Sequence, residues 1–249
     1  EGAGISDMDL RRLMVELEQL YFRDYANYWS EAVGQVALPP ISDAGEGAEQ
    51  LAGLTSANSP VLALLTEVRE NTRFEATADP VDEAGDAADA LAGQKGKLGK
   101  VGKLASAVAD KASALNVAKT LPDTAKKSLQ RRFEPLHRLL DDNNGPAADL
   151  TPALSALNDL QLQLAGLARS STPEQAAFEM AKTRMSGQRD ALTNLRAASG
   201  RLPRPLSVWF NVLAEDSWRL VLNDAYQYLN GRYQNELYSV YGKTISKRY

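Results

Sequence analysis

The sequence predicts an all-α protein, a multi-helix bundle of about seven to nine helices. Apolar residues recur at three- and four-residue spacing through most of the chain, which is the stripe of an amphipathic helix. Ser-Pro or Thr-Pro pairs precede several of these stripes and are typical of helix starts. No segment alternates apolar and polar residues as a half-buried strand does. The 249 residues, of which 44% are hydrophobic, can bury a substantial core.

The first predicted helix begins after Ser6, which is placed to cap it with Asp9 three residues on. It continues for about eight turns until Pro39-Pro40 ends it. Its apolar face consists of Leu10, Leu13, Met14, Leu17, Tyr21, Tyr25, Tyr28, Trp29, Ala32 and Val36. A short helix is predicted over 42–51, weakened by two glycines, and Ser59-Pro60 starts the next.

The segment 75–127 differs from its surroundings and is predicted to be a mobile, low-complexity insertion. Residues 75–90 carry six acids and no base, whereas residues 95–132 carry ten bases and two acids. The glycine-rich stretch 93–100 is a poor helix former. An alternative is that the lysines contact an acidic partner or anionic lipid headgroups.

Regular helical spacing returns after Lys127. The run Asn143-Asn144-Gly145-Pro146 predicts a turn. Thr151-Pro152, Thr172-Pro173 and Arg204-Pro205 then predict the starts of three further helices. Gly231 is expected to end or kink the last of these, because glycine inside a helix costs about 1 kcal/mol relative to alanine.

Aromatic residues concentrate at the two ends of the chain. Nine of the seventeen follow residue 204 and five precede residue 40. Two aromatic rings in contact stabilise a core by more than their buried area alone would. We therefore expect the first and last long helices, which carry most of the aromatic residues, to pack together. Trp29 and Trp218 are predicted to be buried in that shared core. The helical spacing of the aromatics favours a core over a carbohydrate-binding platform. No large apolar patch would then remain, and the chain would be largely monomeric in dilute solution.

The titratable residues do not form a recognisable catalytic or metal site. The chain has one histidine, His137, and no cysteine, which excludes a multi-histidine or cysteine metal site and thiol catalysis. His137 is expected to have a surface or capping role. Asp141-Asp142 lies beside the predicted turn. Glu215-Asp216 is interpreted as the cap of a helix starting near Ser217. We therefore expect no catalytic, cofactor-binding or metal-binding residues, no cofactor, and no enzymatic activity.

The sequence also argues against phosphate binding, nucleic-acid binding and a membrane span. Gly96-Lys97 and Gly102-Lys103 lack the rest of a phosphate-binding loop. The net charge of −4 argues against a general nucleic-acid binder. The longest apolar runs, such as 61–65, are far shorter than the roughly twenty residues of a membrane span.

The ordered set of motifs resembles the IcmF/TssM family, the inner-membrane component of type VI secretion systems. At the C-terminal end it consists of a proline-led helix with Trp209, a second tryptophan, Trp218, nine residues on, and a final Arg248-Tyr249. Upstream, the matching pieces are Tyr25 and Trp29, Ser59-Pro60 before Leu64-Leu65, and the run 133–137 (Phe-Glu-Pro-Leu-His). The resemblance covers most of the chain outside residues 77–127.

The resemblance implies a structural module, part of the periplasmic portion of an inner-membrane protein. Residues 1–249 would form a single helical domain of a larger protein, preceding a β-rich domain that contacts an outer-membrane lipoprotein. The implied partners are that lipoprotein through the following region, an inner-membrane partner subunit, and further copies of the chain. The residues that bind partners are not identified by the sequence. A helical periplasmic ligand-binding or cell-wall-acting enzyme domain remains the alternative.

Overall fold

The computed structural model describes residues 6–74 and 125–244. Of these residues 77% are helical and none lies in a strand, which confirms the all-α class. The elements are α1 (Asp7–Gln35), α2 (Ala44–Thr55), α3 (Pro60–Thr72), α4 (125–137), α5 (Thr151–Ala168), α6 (Pro173–Met185), α7 (Ala191–Ser199) and α8 (Leu206–Thr244). The predicted insertion, 75–127, lies outside the described residues except for Ala125, Lys126 and Lys127, which belong to α4.

The described residues divide between two compact units. The first contains residues 6–32, 68–74 and 125–135, and the second contains residues 33–67 and 136–244. Most of α1 belongs to the first unit and α8 to the second. A single domain in which these two helices pack together therefore stays a prediction.

The first unit is held together by contacts among α1, the end of α3 and α4. The Tyr25 hydroxyl donates a hydrogen bond to the Asn71 carbonyl oxygen at 3.0 Å. Phe22 and Phe74 meet edge to face with ring centroids 5.6 Å apart, a favoured aromatic geometry. The apolar residues buried in this unit are Ala26, Val68, Leu129 and Phe133.

The second unit is a layered packing of helices around leucine side chains. Helix α2 packs on α5, α5 on α7, and both α6 and α7 on α8. Its fully buried large side chains are Leu51, Leu65, Leu150, Leu157, Leu160, Leu164, Leu192, Leu195, Leu206, Phe210 and Leu213. In α5 the leucines at three- and four-residue spacing, Leu157, Leu160, Leu164 and Leu167, form the buried face of the helix.

Two of the predicted helix caps are present. Ser6 Oγ accepts the Asp9 N–H at 3.2 Å and donates to Asp9 Oδ2 at 2.6 Å. Ser59 Oγ accepts the N–H of Val61 in the first turn of α3. The side chains of Thr151 and Thr172 form no cap hydrogen bond, although a proline follows each in the first turn as predicted.

The turn predicted from Asn143-Asn144-Gly145-Pro146 is confirmed and is organised by the preceding aspartate. Asp141 Oδ1 accepts the N–H groups of Asn143 and Gly145, both at 2.8 Å. Asn144 has a φ of 61°, a region that asparagine tolerates better than most residues. Both Asp141 and Asp142 are exposed, as expected for acids beside a turn.

Helix α8 runs without a break from Leu206 to Thr244. The predicted cap at Glu215-Asp216 and the predicted helix end at Gly231 are therefore wrong. Glu215 and Asp216 lie inside it and cap nothing; Asp216 is buried and pairs with Arg219 at 3.3 Å. Gly231 does not end the helix. The helical hydrogen bonds on both sides outweigh the cost of about 1 kcal/mol for a single glycine.

Gly47 marks the closest approach of α2 to its neighbours. A Cβ atom at this position would lie 2.6 Å from Ile41 Cγ2 and 3.0 Å from Leu164 Cδ1. Real contacts of this kind are longer, so the glycine permits α2 to pack directly on α5. Gly53 in the same helix is exposed and would meet nothing within 4 Å.

We predict opposite effects of alanine at these two glycines. Gly47→Ala should lower the free energy of unfolding, because overpacking costs about 1–3 kcal/mol and exceeds the helix-propensity gain of about 1 kcal/mol. Gly53→Ala, the matched control, should raise it by up to about 1 kcal/mol. Urea denaturation of both variants measures the difference. Stabilisation by Gly47→Ala would show that α2 does not pack closely on α5.

Candidate interaction surfaces

The N-terminal half of α1 carries a broad apolar surface that faces solvent. All of its members except Leu20 occupy positions predicted for the apolar face of the first helix. The exposed fraction of the six side chains ranges from 44% at Leu20 to 64% at Met14. We call this surface the α1 face and define it as Leu10, Leu13, Met14, Leu17, Leu20 and Tyr21. Contiguous exposed apolar surface of this kind marks interaction sites on soluble proteins.

A second apolar surface lies on the C-terminal half of α8. We call it the α8 stripe and define it as Tyr226, Leu229, Tyr233, Leu237 and Val240. These residues are 47–65% exposed, and the neighbouring Tyr238 and Tyr241 are 77% and 56% exposed. The prediction that the aromatics are committed to the core and leave no large apolar patch is therefore wrong for this part of the helix.

The cover over α8 ends near Tyr228. Up to that point α6 packs on α8 through Ala177, Ala181, Val221 and Ala225, which form one buried cluster with Leu167 of α5. The last ring contact joins Phe178 and Tyr228, with centroids 5.2 Å apart. Every residue from 229 to 244 is exposed, although all of them are helical.

The two tryptophans predicted to be buried are both half-buried. Trp29 contacts Tyr25 on its own helix at 6.4 Å between ring centroids. Trp218 packs against the α6–α8 cluster, and the Arg184 guanidinium lies 4.8 Å from its ring centroid. The cation covers a ring face that would otherwise contact water, which is a favourable cation–π arrangement.

Arg184 is held over Trp218 by an ion pair with Asp190, the residue that caps α7. Arg184 Nη1 donates to both carboxylate oxygens of Asp190, at 2.7 and 2.8 Å. Asp190 Oδ1 also accepts the backbone N–H of Thr193 at 2.8 Å and its hydroxyl at 2.7 Å. Both charged side chains are only 17% exposed. The cluster thereby ties the end of α6 to the start of α7 and to the middle of α8.

Burial raises the pKa of Asp190, but the hydrogen bonds from Thr193 and Arg184 and the charge of Arg184 outweigh it. The pKa is therefore held below its ordinary value. Across the α6–α8 contact, burial and the nearby Glu174 carboxylate raise the pKa of Asp224.

We predict that Asp190→Asn lowers the free energy of unfolding at pH 7 by about 1.5–3 kcal/mol, the range for a hydrogen bond to a charged group. Asparagine still caps a helix, so the change isolates the charge. Because the folded pKa is depressed, the contribution is present above the unfolded pKa of about 3.9 and is lost as pH falls through the folded value.

Denaturant titrations of both proteins between neutral and strongly acidic pH measure this difference. The two stabilities should converge in acid. A difference that is constant with pH would mean that the Asp190 charge does not stabilise the cluster.

The first unit also contains a basic groove between α1 and α4, with a volume of about 310 Å³. It is lined by Gln19, Phe22, Arg23, Ala26, Ala125, Ser128, Leu129 and Arg132. Arg132 Nη1 donates to Asn27 Oδ1 at 2.9 Å, and Lys126 Nζ lies 5.9 Å from the Phe22 ring centroid. Arg23 and Arg132 make the groove basic, and Lys126 lies near the Phe22 ring that lines it.

His137 is the last residue of α4 and is buried, so of the two roles expected for it the surface position is wrong. Its neighbours along the chain Leu136, Leu139 and Leu140 are also buried. Within residues 6–74 and 125–244 no three or more histidine, aspartate or glutamate side chains are grouped so that they could hold a metal ion. No helix in this part of the chain is both long enough and apolar enough to cross a membrane.

Comparison with known proteins found one match, to a protein family. Residues 1–73 match the model of the IcmF-related family, described as "Intracellular multiplication and human macrophage-killing". The match contains Tyr25, Trp29 and Ser59-Pro60, and it confirms the predicted relationship to the IcmF/TssM family. No curated protein and no solved structure matches the chain.

Proposed function

We propose that this chain is a structural, non-enzymatic component of a membrane-associated secretion complex of the IcmF/TssM type. The observation that carries the proposal is the coincidence of the family match with the α1 face: residues 1–73 include all of it. Its work would consist of protein–protein packing that helps connect an inner membrane to an outer-membrane lipoprotein.

The chemistry of the α1 face suits a helical protein partner. Its side chains are leucine, methionine and tyrosine, which contribute large contact areas, and methionine adapts to irregular partner surfaces. Three- and four-residue spacing presents them along one side of the helix, as in helix-in-groove and helix–helix recognition. The same helix also carries two exposed ion pairs, Arg12 with Glu16 and Arg23 with Asp24.

The proposed setting is the periplasmic portion of an inner-membrane protein. The partners would be an inner-membrane subunit of the complex, further copies of the chain, and the lipoprotein through a region that follows this one. The family relationship supports a secretion-complex role, and the α1 face supplies a surface on which such a subunit could pack.

Replacing the centre of the α1 face tests this function. In the bacterium that encodes the protein, Leu13→Glu with Leu17→Glu should prevent recovery of the assembled complex on a tagged partner subunit and should abolish secretion. The free-energy cost of burying two unpaired carboxylates in an apolar interface is far larger than the free energy that the apolar contacts of the α1 face contribute to binding. Both leucines are about half exposed, so helix content by circular dichroism should be unchanged.

Arg11→Glu is the matched control, because it makes the same change in net charge at an exposed position without removing apolar surface. It should leave assembly and secretion intact. Normal assembly with the folded double variant would refute a role for the α1 face, and loss with both variants would indicate a general charge effect.

A further inference from the structure

The α8 stripe is continuous and straight along the exposed part of its helix. Its members are separated by three, four, four and three residues, a spacing that keeps them on one side of an α-helix. From residue 229 to residue 244 the helix extends about 24 Å at 1.5 Å per residue. An isolated helix of this length is only marginally stable in water, and packing of its apolar face is what stabilises such a helix.

The area of the stripe is sufficient for a small stable interface. The stripe residues and the adjacent Tyr241 average somewhat more than half exposed. Taking about 200 Å² for each large side chain, they present about 600 Å² per copy. Two copies would then bury about 1,200 Å², the lower limit for specific protein–protein interfaces.

The charges beside the stripe are self-complementary about its midpoint. Arg232 and Glu236 lie on the same edge of the stripe and form an exposed ion pair within the helix at 2.7 Å. Arg232 lies two residues before Gln234 and Glu236 two residues after it, and Gln234 is next to Tyr233 at the middle of the stripe.

Orientation follows from this placement. In an antiparallel pair the same edges of the two helices meet, so each Arg232 faces the other copy's Glu236 across a twofold axis near Gln234. In a parallel pair, the edge with Arg232 and Glu236 on one helix would face the other edge of the stripe on the second helix. That other edge carries the uncharged Asn230 and Tyr241.

We propose that the α8 stripe is the dimer surface of this protein and binds the same stripe of a second copy in antiparallel orientation. The stripe residues interdigitate at the centre, and the Arg232–Glu236 pairs exchange partners between copies at the rim. This proposal goes beyond the assembly role of the α1 face and does not depend on the family relationship. It also replaces the expectation of a monomer.

Sedimentation equilibrium of the whole chain measures the pairing. The wild-type chain should dimerise with a dissociation constant in the micromolar range, as expected for an interface of minimal area, about 1,200 Å². Tyr233→Glu with Leu237→Glu should weaken dimerisation at least tenfold. Asn235→Glu with Ser239→Glu, the matched control, adds the same two charges at the same spacing on the polar side and should leave dimerisation unchanged.

Charge exchange tests the orientation. Arg232→Glu alone and Glu236→Arg alone should each dimerise less tightly, because like charges then meet across the twofold axis. An equimolar mixture of the two variants should regain wild-type affinity as a heterodimer. The ion pair within each helix is broken in both variants and is not restored by mixing, so recovery can arise only between copies.

Each result bears on the proposal. A wild-type chain that stays monomeric at high micromolar concentration, or a stripe variant that dimerises as tightly as wild type, would overturn the dimer surface. A mixture no tighter than the separate variants would overturn the antiparallel pairing. The α1-face variant, Leu13→Glu with Leu17→Glu, should retain the dimer, so failure of the assembly role and failure of the dimer are distinguishable.

Discussion

The contact of α6 with the first half of α8 determines which surfaces of the second unit are covered. Ala177 and Ala181 are small enough to bring α6 close to Val221 and Ala225, and all four are buried. The Arg184–Asp190 pair then fixes the end of α6 beside Trp218 and the start of α7. Because α6 is only 13 residues long, its cover ends near Tyr228, and residues 229–244 of α8 are exposed.

This arrangement separates two roles along one helix. The half of α8 up to Ala225 contributes Phe210, Leu213 and Val221 to the core and so stabilises the unit. The other half has the same kind of apolar spacing but presents it to solvent. A similar division holds in α1, where Ala26 is buried and the α1 face is exposed. Under the proposed function, these exposed helix surfaces would join subunits.

Local chemistry explains which features the sequence predicts. The caps at Ser6 and Ser59 and the turn at Asp141 depend on side chains bonding to backbone groups two or three residues away, so residue type and spacing suffice. Helix existence follows from apolar periodicity in the same way. The Asp190 cap was not predicted, although an aspartate three residues before Thr193 is a recognisable signal.

Features set by distant contacts could not be predicted. Periodicity shows that one side of α8 is apolar, but whether another helix covers Tyr233 depends on the length of α6. The burial of His137 and Asp216 is likewise not indicated by residue type or spacing. The family relationship was inferred mainly from the C-terminal tryptophans, whereas the match covers residues 1–73, where Tyr25, Trp29 and Ser59-Pro60 also lie.

Hydrogen exchange along α8 tests the central claim most directly, namely that one helix has a covered half and an uncovered half. At low protein concentration the amides of residues 206–228 should be strongly protected and those of residues 229–244 weakly protected, because only the first group is held by packing. Raising the concentration should slow exchange in residues 229–244 alone. Uniform protection of both halves that does not change with concentration would contradict the account.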